Sequence, residues 1–75
     1  MPTIARFSNC RVEVRALDHL PPHFHVVMSD RRDNLVEIKT LAMQGPIPAR
    51  EIEQVLAWAA EHRDELIAEW KKYHP

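Results

Sequence analysis

The hydrophobic period of this chain changes once, at Gln44-Gly45-Pro46-Ile47-Pro48, and that change restricts its fold more than any other feature. Before the break the period is two. Cys10–Ala16 sets Val12, Val14 and Ala16 against Arg11, Glu13 and Arg15; His23–Met28 sets Phe24, Val26 and Met28 against His23 and His25; Leu35–Lys39 sets Val36 and Ile38 against Glu37 and Lys39. Alternation of this kind is the pattern of half-buried strands. Thr3–Phe7 reads as a short first strand, with Ser8-Asn9 as its turn, and Ser29–Asn34 as a polar hairpin loop.

After the break the period becomes helical. At about 100° per residue, Ile52, Val55, Leu56, Ala59, Leu66, Ile67, Trp70 and Tyr73 form one broad stripe. Proline before the first turn and acids at Glu51 and Glu53 suit a helix start. Two residues disobey the stripe. Arg63 projects into its middle, which calls for a carboxylate partner or for a break near His62-Arg63-Asp64. Trp58 lies off it, and an unburied tryptophan points to a contact with another chain, hence to an oligomer or a complex.

The expected architecture is α+β: an antiparallel sheet of three or four strands with a C-terminal helix, broken or bulged near His62, packed on one face. The 75 residues read as one small domain, with 1–43 as sheet and 46–73 helical. The opposite face would display Arg11, Glu13, Arg15, His23, His25, Glu37 and Lys39 to solvent or a partner.

Composition narrows function by exclusion. No apolar run approaches a membrane span and Met-Pro-Thr-Ile-Ala-Arg is no signal peptide, so a cytoplasmic, membrane-free setting is expected. A single cysteine, Cys10, allows no intrachain disulfide and no cysteine-rich zinc site, and its position on the apolar face makes it a core residue. The formal net charge of −1 gives no global case for nucleic acid. Residues 1–45 carry six cations against five carboxylates, and 46–75 four against six, a weak asymmetry. Phosphate-loop, dinucleotide-binding and Cys-x-x-Cys motifs are absent from the sequence.

Chemistry concentrates in Asp18-His-Leu-Pro-Pro-His-Phe-His-Val26, which holds three of the five histidines. Three readings compete. In the first, His23 and His25, two apart on one strand face and about 7 Å apart along it, join Asp18 and His19 across the stiff Pro21-Pro22 loop. They then hold zinc or another divalent transition metal, such as nickel or iron(II). In the second, His23 and His25 act as general acid and base on a ribose 2′-hydroxyl. Arg11 and Arg15 steady the phosphate, as in a metal-independent ribonuclease. In the third, Asp18 and His19 cap a turn and the strand histidines are surface residues. His62 is expected at the helix flank, and terminal His74 is expected to be mobile.

Met-Pro-Thr-Ile4, the Asp-His-x-Pro-Pro-His-Phe-His-Val26 string, the Gly-Pro-Ile-Pro48 break and Trp58…His62-Arg-Asp-Glu-Leu66…Trp70 together resemble the domain-of-unknown-function family 4160 of small bacterial and archaeal proteins. Ser8-Asn9 and Met28 depart from the glycine and tyrosine usual there. The resemblance implies a small α+β domain whose motif residues are Asp18, His19, Pro21, Pro22, His23 and His25. It also implies a role in two-gene, toxin–antitoxin-like modules with a second small operon-encoded protein. On these grounds the expected function is a component of such a module whose His/Arg sheet face binds RNA or a protein partner, with RNA cleavage left open as one use of that face. The alternative is a non-catalytic metal-binding or interaction module. Candidate contacts are Arg11, Arg15, Asp18, His19, Lys39 and Trp58.

Overall fold

The computed structural model describes residues 3–16 and 18–74. Five antiparallel strands run in sequence order across one sheet: β1 (Thr3–Arg6), β2 (Cys10–Glu13), β3 (His23–Met28), β4 (Asp33–Glu37) and β5 (Met43–Gln44). A 3-10 turn at Ala49–Glu51 leads into α1 (Glu53–Glu61) and α2 (Arg63–Tyr73). The architecture is the expected α+β, with one strand more than the alternation announced. That strand is two residues long, too short to show a period, and ends where Gly45 turns the chain.

Register explains the two faces. Val12 pairs with Val26 and Val26 with Asn34, while Phe24 pairs with Val36 and Val36 with Met43. These rows, with Cys10, Val14, Met28 and Ile38, pack against Ile47, Ile52, Val55, Ala59, Leu66 and Trp70. Most of the apolar stripe expected of the helices is therefore core, and Leu56, Ile67 and Tyr73 flank it. Val12, Val14, Phe24, Val26, Val36, Ile38, Ala59 and Leu66 are all fully buried, where each larger aliphatic or aromatic side chain contributes about 1.5–3 kcal/mol.

The helical segment breaks where Arg63 required it. His62 leaves helical geometry, with φ −122° and ψ 25°, so α1 and α2 meet at an angle rather than in one rod. Arg63 then turns out of the stripe. Its Nε donates to the Ile38 carbonyl at 3.2 Å and its Nη1 to that of Ala60 at 3.2 Å, tying the break to the end of β4. Backbone oxygens, not a carboxylate, take this charge among the described residues.

The opposite face differs from expectation. It is not an open polar surface at its centre: Glu13, His23 and His25 are buried, as is every residue of β3. The loop before β3 folds over this end of the sheet, and alternation alone cannot foresee a cover formed by chain folded back from elsewhere. Among the described residues no helix is long and apolar enough to cross a membrane.

Candidate metal centre

β3 supplies two imidazoles and the preceding loop supplies a carboxylate. His23 is 1% exposed and His25 9%, with ring centroids 5.1 Å apart and the rings nearly perpendicular. Asp18 turns one oxygen to both: Oδ2 lies 3.0 Å from His23 Nε2 and 2.9 Å from His25 Nε2. One ligand atom from each of the three residues falls within 4.8 Å of the others.

The far nitrogen of each ring is also engaged. His23 Nδ1 donates to the Pro21 carbonyl at 2.8 Å, and His25 Nδ1 faces Asp33 Oδ1 at 3.3 Å. A neutral imidazole has one donor nitrogen and one acceptor nitrogen. With Nδ1–H committed to oxygen, Nε2 of each neutral ring is a lone pair, yet it faces a carboxylate oxygen. Two neutral rings and Asp18 sharing a cation would satisfy this geometry.

The surrounding charges form one chain. Glu13, opposite His25 in the β2–β3 ladder, receives Arg11 Nε at 2.6 Å and Arg15 Nε at 3.3 Å. Arg15 continues to Asp33 at 2.7 Å, and Asp33 meets His25. Three carboxylates (Glu13, Asp18, Asp33) and two guanidiniums leave one negative charge before the rings are counted, so the cluster favours an added cation. Burial pulls the Asp18 carboxyl upward, but the hydrogen bond and charge of His25 and the charge of His23 prevail and hold it below the ordinary aspartate range. Glu13 behaves alike: burial raises it, Arg11 and Arg15 outweigh burial, and it stays ionised.

The last turn of α2 completes the enclosure. Trp70 packs on His23 with centroids 5.0 Å apart, and His74 stacks on Trp70 at 3.7 Å. The Asp18 N–H donates to His74 Nε2 at 3.1 Å, while His74 Nδ1 donates to the Trp70 carbonyl at 2.9 Å. His74 is thus a clasp on the ligand loop, where a mobile terminal residue was expected.

Of the residues singled out from the sequence, Asp18, His23 and His25 converge. His19 does not join them: it is exposed, its Nδ1 lies 3.1 Å from the Leu20 carbonyl, and its ring centroid is 5.6 Å from that of His23. Arg15 belongs to the Glu13–Asp33 chain, and Arg11 bonds Glu13 through Nε while the rest of its guanidinium stays partly exposed. Lys39 is exposed in the turn after β4 and forms no ion pair among the described residues. Trp58 is half-buried, edge-on to Phe7 at 5.9 Å and stacked on His62 at 4.9 Å, which accounts within the chain for its place off the stripe. Sequence reasoning missed Glu13, Asp33, Trp70 and His74 as parts of the site. Hairpin register brings in the first two, and only the docking of α2 brings in the others.

A family model matches residues 13–71; it is that of DUF4160, described as a domain of unknown function. No curated protein and no solved structure matches the chain.

Proposed function

The chain belongs to the DUF4160 family, and we propose that it works by holding one divalent transition-metal ion, zinc foremost, on Asp18, His23 and His25. One observation carries the reading. Both rings commit Nδ1 to an oxygen and aim Nε2 at the same carboxylate, which is how ligand histidines are held by their outer partners. Pro21 and Asp33 are those partners. Two imidazoles and one carboxylate suit zinc, nickel or iron(II), whereas magnesium and calcium prefer all-oxygen sets. Such an ion would neutralise the surplus negative charge and tie the loop to β3.

Burial weighs against RNA cleavage by the same histidines. A general base must reach the proton it takes, and His23 at 1% exposure lies behind Trp70. For the toxin–antitoxin-like role, this reading assigns the chain the metal-holding half of a pair rather than the nuclease.

The test is metal content and thermal stability of untagged protein purified without immobilised nickel. One zinc per chain and a melting temperature that rises on zinc addition are expected, with both lost in Asp18→Asn and His25→Ala. Wild-type protein that takes up no zinc, nickel or iron(II) at micromolar concentrations, while remaining folded, would overturn the reading.

A further inference from the structure

The first hairpin carries a second feature, at the Arg11 end of the charge chain and away from the histidine rings. β1 and β2 pair with Arg6 directly opposite Arg11, and Arg11 is opposite Val27 of β3. The three form one row on one face. Like charges facing each other across a ladder disfavour the pairing; Glu13 offsets Arg11 from one side, while Arg6 has no such partner among the described residues.

A solvent-open cavity of about 140 Å³ lies there, lined by Arg6, Phe7, Cys10, Arg11, Val27 and Ser29. It has room for a few water-sized groups, enough for a tetrahedral oxyanion. Glu13 takes only Nε of Arg11, and the terminal nitrogens of Arg11 make no hydrogen bond among the described residues. Arg6 is exposed and has no carboxylate partner among them. Burial pushes the Cys10 thiol up, so it stays neutral and adds no negative charge to the cavity.

We propose that this cavity binds a phosphate dianion, either inorganic phosphate or the terminal phosphate of a small phosphomonoester, between Arg6 and Arg11. Guanidinium forks match phosphate oxygens in shape and charge. An anion between the two would convert their repulsion into a shared attraction. Phe7 and Val27 form an apolar wall against which an ester substituent can rest.

The experiment is an amide-resolved NMR titration of the whole chain with inorganic phosphate, phenyl phosphate and, at matched ionic strength, chloride, followed by an oligoribonucleotide without terminal phosphate. Saturable shifts clustered at Arg6, Phe7, Arg11, Val27 and Ser29 are expected with the first two and not with chloride. Tighter binding of phenyl phosphate would name the phosphomonoester as the ligand, and equal binding the free anion. Arg6→Gln, which removes an exposed charge with no ion-pair partner among the described residues, should weaken binding by about tenfold without changing the rest of the spectrum. Shifts that never saturate, that chloride reproduces, or that persist unchanged in Arg6→Gln would overturn the proposal. Tighter binding at these residues of an oligoribonucleotide without terminal phosphate would also overturn it, in favour of a nucleic-acid surface.

Discussion

Asn34 has no solvent exposure and bonds both ways with the backbone of one distant residue: Nδ2 donates to the Ile47 carbonyl at 2.9 Å, and Oδ1 accepts the Ile47 N–H at 3.0 Å. This side chain closes the Gly45–Pro48 break onto β4, and no apolar residue can replace it. Asn34→Ala should cost roughly 2–4 kcal/mol in urea unfolding, since it strands a buried donor and a buried acceptor together. Gly45 guards the same contact. Its φ of +140° disfavours any side chain, and an added Cβ would run into the Asn34 side chain and the Asp33 carbonyl. Gly45→Ala should therefore destabilise by about 1–3 kcal/mol, and in a double mutant with Asn34→Ala the two losses should fall short of additive. Gly45 stood out in the sequence as the only glycine. Asn34 did not, because a polar residue at the end of a polar loop carries no mark of burial.

At the scale of elements, the two ends of α2 do separate jobs. Its first residue, Arg63, ties the interhelical break to β4 through backbone carbonyls. Arg63→Ala should cost about 1 kcal/mol, because these charge-assisted bonds are partly solvated, and Lys should recover only part of it for want of the guanidinium fork. Chemical denaturation of the three proteins checks the order; equal stabilities would make Arg63 an ordinary surface charge. Beyond the last turn, His74 clasps the Asp18 loop. His74→Ala should speed hydrogen exchange of the Asp18 amide and weaken zinc binding severalfold while leaving amide protection in β3 intact. Unchanged exchange at Asp18 would show that His74 does not hold the loop.

At the scale of the whole molecule, a chain of 75 residues has a narrow stability margin, so its buried charges and any bound ion weigh heavily. Glu13 sits beneath the polar face with its folded pKa depressed by Arg11 and Arg15 against the opposing pull of burial. A depressed carboxylate stabilises the fold above its unfolded pKa, and that contribution is lost as pH falls through the lower folded value. Glu13→Gln should lower stability at neutral pH by roughly 1–2 kcal/mol, less than for a fully buried pair because both arginines are partly solvated. It should also flatten the acid limb of the stability curve below about pH 4.5. An acid limb identical to wild type would remove Glu13 from this role. Zinc bound as proposed would act on the same balance: at about a hundredfold excess over its dissociation constant it should add near 2.7 kcal/mol.

The sequence alone determined the period of the strands, the break at Gly45, the apolar stripe and the interruption at Arg63, because each is a local pattern with a local cause. It also marked Asp18, His19, His23 and His25 as a set, through the alternation of β3 and the stiffness of the prolines before it, and the fold kept all of them together but His19. Tertiary structure decided the rest. Whether the polar face of β3 met water or protein depended on a loop folding back and on the end of α2 docking from 56 residues away, where His74 meets Asp18. The partners of His25 and Arg15 depended on register, which slides Glu13 and Asp33 into reach without leaving a trace in any single strand. Local periodicity specifies which side chains share a face; only the packing of distant segments specifies what lies over that face, and here it turned an expected open surface into a closed site.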